Sequence, residues 1–311
     1  MENKQKILIT SYRNPDVDGT GCAYAYAEFL KNKEVDAIAA FFGKIHREAQ
    51  FVVDEFNIVV NKAEDFIDEY NKIILVDSSE IVSLPGEIKP GQVIEIIDHR
   101  QSDDLDKFTN AKVQIELVGS CATLIAEKFY NEKMNISRES AALLYSAIVS
   151  NTINFKVNRT TEKDKAMAEW LKNKLDLPTD YIHKMFAHKS ALTAPLKEIL
   201  LADFKKIDFK DKKIGIAQLE IIDIEKFTDK NLEKTKKVLS GIKEDNGLDY
   251  IFLNCIDIEK GFNIFIVIDE STKKLVSSAL EIYFEDSGIA KIDYLLMRKE
   301  IVPKLKKYLS I

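Results

Sequence analysis

The chain has 311 residues, 46% of them hydrophobic and 31% charged, with a formal net charge of −6. That length suits two domains with sizeable cores, and the composition is that of a soluble globular protein. An excess of 51 Asp and Glu over 45 Lys and Arg argues against a general nucleic-acid or anionic-membrane binder. No apolar run approaches the roughly 20 residues that span a bilayer, and the N-terminus has no signal-peptide h-region. Cys22, Cys121 and Cys255 are odd in number and far apart, with no CxxC pair. A disulfide framework and a thiolate zinc site are therefore not expected, and a reducing, cytoplasmic location fits.

In chain order, Lys6 to Ser11 is predicted as a buried strand, followed by a turn at Asn14, Pro15 and Asp16 and a helix from Gly19 to Lys31. Val35 to Phe42 is a second apolar run. Lys72 to Ser78 and Gln92 to Asp98 are short β-branched runs that each carry an aspartate at or near the end. Strands alternating with helical stretches predict an α/β domain with a parallel sheet. Helices are expected over Ser120 to Asn131, Ser137 to Val149, Thr161 to Leu175 and Tyr181 to Lys189, then a linker at 190–195. The remainder, 196–311, starts with a helix over Leu196 to Phe204. It adds strand-like runs at Lys213 to Ile222, Tyr250 to Ile258 and Phe262 to Ile268, as expected of a smaller mixed α/β domain. The expected domains are thus 1–189 and 196–311.

Ligands of open parallel sheets sit outside the carboxyl ends of the strands. Asp16, Asp18, Asp77 and Asp98 all fall there, joined by His99. Two aspartates at i and i+2 can present oxygens toward one point, and hard divalent cations take oxygen ligands, manganese also accepting imidazole. Each residue alone has an ordinary explanation: Asp16 and Asp18 as helix caps, Asp77 as a turn residue, His99 as a hydrogen-bonded histidine. Together they form a group of like charges that a bound cation would relieve.

The ordered segments 14–19 (NPDVDG), 75–79 (LVDSS), 96–100 (IIDHR), 116–125 (ELVGSCATLI) and 143–155 (LLYSAIVSNTINF) resemble the DHH phosphoesterases. The chain is most similar in this respect to the manganese-dependent, family II inorganic pyrophosphatases. Segments 201–205 (LADFK), 214–218 (IGIAQ) and 297–303 (MRKEIVP) resemble the second domain of that family. The resemblance implies an active site in the cleft between the domains and a small phosphate-containing substrate. It also implies Mn²⁺, Mg²⁺ or Co²⁺ as cofactor, with two ions bridged by Asp77, and a homodimer. It places Asp16, Asp18, Asp77 and His99 at metal-ligand positions and gives Asp98 the task of orienting His99 through its other ring nitrogen. Lys205, Arg298 and Lys299 fall at phosphate-binding positions of a mobile second domain. Metal-activated water would attack phosphorus in line, with Asp77, His99 and Arg100 at the reacting centre.

Three positions depart from the family pattern. Tyr12 stands where the family has its first histidine, Arg100 where it has the second histidine of Asp-His-His, and Asn151 where it has an aspartate. A phenol titrates near 10 and is a poor ligand at neutral pH. Asn151 offers a carbonyl oxygen without charge, a weak ligand at most. Arg100 can grip phosphate with its fixed fork of donors. The number of ions is left open, as are two other readings. An Asp-His-Arg triplet is also similar to exopolyphosphatase-like relatives, which keeps exopolyphosphate or small-nucleotide hydrolysis in view, although no GGGH-like run is present. A catalytically degenerate homologue that binds phosphate compounds is the third.

Overall fold

The computed structural model describes residues 6–310; residues 1–5, on which the absence of a signal-peptide pattern partly rests, lie outside the described residues. The chain divides into two compact units, Met1–His188 and Lys189–Ile311. The first contains β1 (Ile7–Thr10), α1 (Val17–Lys31), β2 (Ala37–Phe41), α2 (Arg47–Glu55), β3 (Asn61–Lys62), β4 (Lys72–Val76), β5 (Val93–Asp98) and β6 (Lys112–Ile115). Four helices follow: α3 (Cys121–Asn131), α4 (Arg138–Asn151), α5 (Glu162–Lys172) and α6 (Tyr181–Lys189).

The six strands are all parallel, in the order β3-β2-β1-β4-β5-β6. Every residue of β1 is buried. A parallel strand covered on both faces has no polar side, so it reads as a continuous apolar run and is legible without alternation. Its neighbours on either side are β2 and β4. The chain winds outward from β1 through β2 to β3, then returns to start the other half at β4. This reversal is the switch point where open α/β sheets bind ligands. The edge strand β6 is half exposed and carries only the short sequence KVQI. It lacks an apolar run, which is why the sequence patterning passes over it.

Helix α1 packs closely on α4. A Cβ at Gly21 would lie 3.1 Å from the carbonyl oxygen of Leu143, so any larger residue there would push the two helices apart. One apolar cluster gathers Leu8, Phe42, Ile73, Leu75, Ile96 and Phe108 beneath the sheet.

The second unit holds α7 (Leu196–Ala202), β7 (Phe204–Phe209), β8 (Lys212–Ile221), α8 (Ile224–Asp245), β9 (Tyr250–Asp257), β10 (Phe262–Val267), α9 (Glu270–Leu280), β11 (Ile289–Ile292) and α10 (Arg298–Ser310). Its sheet runs β11-β10-β9-β8-β7, parallel between β8 and β9 and antiparallel elsewhere. Successive strand residues face opposite sides. Ile251, Leu253 and Cys255 therefore join α8 in one core, while Phe252 packs with α9 and α10 in another. Among the described residues, no helix is long and apolar enough to cross a membrane.

Candidate metal centre

The turns that leave β1, β4 and β5 deliver the acidic side chains. After β1, Asp16 caps α1: its Oδ1 accepts from the backbone N–H of Asp18 (2.8 Å) and Gly19 (3.0 Å). Gly19 is required by close approach, because a Cβ there would lie 2.5 Å from Ser11 Oγ. After β4, Asp77 takes φ = 52°, in the left-handed region that Asp tolerates better than most residues. This left-handed residue turns the chain sharply at the switch point. At the end of β5 come Asp98, His99 and Arg100.

Asp18, Asp77 and His99 are buried and each offers one ligand atom, all within 4.8 Å of one another. His99 Nδ1 lies 3.0 Å from the carbonyl oxygen of Val118. A carbonyl only accepts, so Nδ1 carries the proton and Nε2 presents its lone pair, 3.4 Å from Asp77 Oδ1. This corrects the expectation that Asp98 orients the ring. The Asp98 carboxylate is turned elsewhere: Oδ1 accepts from the His99 backbone N–H (2.7 Å), and Oδ2 accepts from Ser79 Oγ (2.7 Å). A short carboxylate following its own backbone reaches the next N–H more easily than a ring above it.

Asp18 is the most elaborately held of the three. Its Oδ2 accepts from Cys121 N (2.9 Å) and its Oδ1 from Ala122 N (2.8 Å), both in the first turn of α3. The anion that the α3 N-terminus supports is therefore a carboxylate of the protein itself. Asn151, at the end of α4, donates its side-chain N–H to Asp18 Oδ2 at 2.5 Å. This corrects its reading as a weak oxygen ligand: the amide turns its nitrogen to the acid, where its oxygen would be repelled. Asp16 lies outside the group of three converging ligand atoms.

Tyr12 packs against the acidic group and contacts Asp16. Burial, with the charges of Asp16 and Asp77, raises its phenol well above the ordinary value, and its oxygen accepts from Asp16 N at 3.2 Å. Arg100 folds back onto the acids. Its Nη2 donates to Asp77 O (2.6 Å) and Asp77 Oδ1 (2.8 Å), and its Nε to Asp98 Oδ1 (3.3 Å). Its side chain is still 48% exposed, and with Tyr12, Asp77, Ser78 and Ser79 it lines a cavity of about 220 Å³. That is smaller than the roughly 300–1,000 Å³ of pockets for drug-sized ligands, and suits a compact polar one.

In the second unit, Lys205 is an exposed residue of β7 and Lys299 an exposed residue in the first turn of α10. Arg298 is held by Asp203, with 2.5 Å from Nη2 to Oδ1 and 2.9 Å from Nη1 to the carbonyl. Gln218 Oε1 accepts from Arg298 N at 3.0 Å. Asp203 and Gln218 lie inside the segments singled out by resemblance, but their pairing with Arg298 is a product of packing.

The electrostatics favour a cation. Burial, then the charge of Asp77, lifts Asp18 from 3.8 to about 7. Burial, with Asp16 and Asp98, also raises Asp77, and these outweigh Arg100. Two oxygens and one imidazole nitrogen fit Mn²⁺ or a similar ion. Because Asp18 is still protonated below about pH 7, an ion has to displace its proton there. In ion-free protein the raised pKa contributes stability at low pH that is lost as pH rises toward about 7. Apparent Mn²⁺ affinity is therefore expected to rise with pH, by up to about tenfold per unit for the Asp18 proton well below about pH 7, and to level off above it. Titration calorimetry on both sides of about pH 7 checks this; a flat profile contradicts it.

Comparison with known proteins identifies the family of the chain. Residues 6–148 match the DHH family N-terminal domain and residues 183–308 the DHHA2 domain. The probable manganese-dependent inorganic pyrophosphatase of Clostridium acetobutylicum is 30% identical over 302 residues, covering 96% of each chain. The manganese-dependent inorganic pyrophosphatase of Methanothrix thermoacetophila is 30% identical over 309 residues, covering 96% of this chain and 97% of its own. A crystal structure of a candidate family II inorganic pyrophosphatase from Methanococcus jannaschii superposes with a TM-score of 0.73 at 28% identity, covering 98% of this chain and 100% of that one. With its acidic centre at the sheet's switch point and relatives aligned along both units, the chain belongs to the manganese-dependent, family II inorganic pyrophosphatases of the DHH superfamily.

Proposed function

We propose that the protein hydrolyses inorganic pyrophosphate to phosphate with a divalent ion, manganese first, held by Asp18, Asp77 and His99. The observation that carries this reading is the convergence of those three ligand atoms within 4.8 Å. The ion, when bound, supplies Lewis acidity and a water of lowered pKa. Arg100 is anchored by two carboxylates on one side and exposed to the cavity on the other, so it can receive a phosphoryl oxygen without losing its orientation. Asp98 and Tyr12 keep that wall in place. Lys205, Arg298 and Lys299 supply positive charge for the phosphates, Arg298 pre-oriented by Asp203. The three cysteines are buried and free, in keeping with a reducing, cytoplasmic setting.

The test is release of phosphate from pyrophosphate, tripolyphosphate and a dinucleotide, with Mn²⁺, Co²⁺, Mg²⁺ or chelator. Pyrophosphate is expected to be the fastest substrate and chelator to stop the reaction; release that ignores the metal would remove the proposal. Lys205→Ala and Arg298→Ala each delete a charge-assisted hydrogen bond of about 1.5–3 kcal/mol. They are expected to raise KM about tenfold to a hundredfold, at unchanged Mn²⁺ affinity. Equal KM values for variants and wild type would count against these two as substrate-binding residues.

A further inference from the structure

We propose that Gln218 is a positioning residue for substrate binding, its amide holding both the backbone of Arg298 and the acid that clasps the Arg298 guanidinium. The role rests on the reading of Arg298 as a phosphate-binding residue and names what aims it.

Gln218, Asn254 and Asn263 lie on β8, β9 and β10. Each is two residues from Ile216, Phe252 or Phe265, so all three share the side of the sheet that packs on α9 and α10. Asn254 and Asn263 are fully buried there and Gln218 nearly so. Amides in such a place are tolerated only where their hydrogen bonds are met. Asn263 Nδ2 donates to Asn254 Oδ1 (2.6 Å) and to the carbonyl of Leu296 (2.8 Å). Asn254 Nδ2 donates to the same carbonyl (3.0 Å) and to Gln218 Oε1 (3.5 Å). Asn263 Oδ1 accepts from Leu296 N at 3.1 Å. Both main-chain groups of Leu296, just ahead of α10, are thus held by side chains. Gln218 continues the row. Its Oε1 accepts from Arg298 N (3.0 Å), the first N–H of α10, which has no partner within the helix. Its Nε2 donates to Asp203 Oδ2 (3.2 Å) and Glu220 Oε1 (3.0 Å), and its backbone N–H to the Asp203 carbonyl (3.0 Å). Asp203 in turn takes Arg298 Nη2 on Oδ1 (2.5 Å) and Nη1 on that same carbonyl (2.9 Å). One glutamine therefore holds Arg298 at both ends, directly at its N–H and through Asp203 at its guanidinium. An arginine ordered before substrate arrives has less freedom to lose on binding. An apolar residue at 218 would fill the same space and fix neither end.

The experiment is a double-mutant cycle on the full-length chain: wild type, Gln218→Met, Arg298→Ala and the double variant. Two quantities are read with Mn²⁺ present, KM for pyrophosphate and the calorimetric Kd of imidodiphosphate, its bridging-nitrogen analogue. Gln218→Met keeps the volume and deletes the amide. It is expected to raise KM and Kd about threefold to tenfold, with kcat changed less and Mn²⁺ affinity unchanged. Added to Arg298→Ala, it is expected to raise neither further, because it acts through Arg298. Circular dichroism confirms that each variant is folded; should Gln218→Met not fold, Gln218→Ser, which leaves room for water at the stranded groups, carries the same comparison. An unchanged Kd in the folded variant, or the same rise with and without Arg298, would overturn the positioning role and reduce the amide row to packing for α10. An Arg298→Ala that binds imidodiphosphate like wild type would overturn it together with the reading of Arg298. The expected Kd pattern without any turnover of pyrophosphate would uphold the positioning role and remove the proposed hydrolysis instead.

Discussion

Asp77→Ala is expected to lose roughly a thousandfold or more of the metal-dependent hydrolysis rate, because it removes an ion ligand and unseats Arg100 in one step. Asp77 lies within 3.4 Å of His99 Nε2 and accepts Arg100 Nη2 on both its carbonyl and its carboxylate. The carbonyl contact survives in alanine, but the ion pair does not. The variant should remain folded. Asp77 is desolvated and already pressed toward the neutral form, so removing it relieves repulsion with Asp16 and Asp98 as well as losing Arg100. Two measurements separate function from folding. Phosphate release falls, and added Mn²⁺ no longer raises the melting temperature, because an ion that binds only the native state stabilises only where it has a site. Activity within about tenfold of wild type would show that Asp77 is not a ligand.

Asp164→Ala is expected to destabilise the first unit by about 3–5 kcal/mol and, through the backbone, to weaken Mn²⁺ binding. Asp164 is fully buried, and the hydrogen-bond partners of its carboxylate are Gly119, Thr123 and Thr161, none of them in the Asp18, Asp77 and His99 group. Its carboxylate accepts from Gly119 N (3.0 and 2.9 Å), Thr123 Oγ1 (2.5 Å), and both the N–H and the hydroxyl of Thr161 (2.7 Å each). Deleting it strands several buried donors, which is worse than never having had the pair. The strut also fixes the start of α3, the turn whose amides hold Asp18. A chain of two units need not unfold in one step, so the first thermal transition is the one to follow. An unchanged transition would show that the network carries no net stability. A large thermal loss with Mn²⁺ affinity intact would cut the link between this strut and Asp18.

What the residues announced by themselves follows from short-range rules. β1, β4 and β5 read directly as apolar β-branched runs because each is covered on both faces, and their aspartates lie at or just beyond the strand ends, where parallel sheets expose ligands. The ordered motifs were enough to indicate the DHH fold and its two units. Short or solvent-facing elements escaped: β3 has two residues and β6 is a half-exposed edge; α2 also escaped.

Only the tertiary structure decided how each side chain is spent. Asp18 meets Cys121, Ala122 and Asn151 across more than a hundred residues of chain. His99 turns its ring to Val118 and not to the neighbouring Asp98, and Arg298 is clasped by Asp203, 95 residues earlier in the chain. Arg100 could be named as a phosphate binder from its chemistry, but its inward rotamer depends on two carboxylates from different strands. Sequence spacing fixes which residues arrive at a strand end. Which oxygen, tautomer or guanidinium edge faces inward depends on the hydrogen-bond partners that packing brings from distant segments, and buried polar groups adopt whichever orientation leaves the fewest of them unsatisfied.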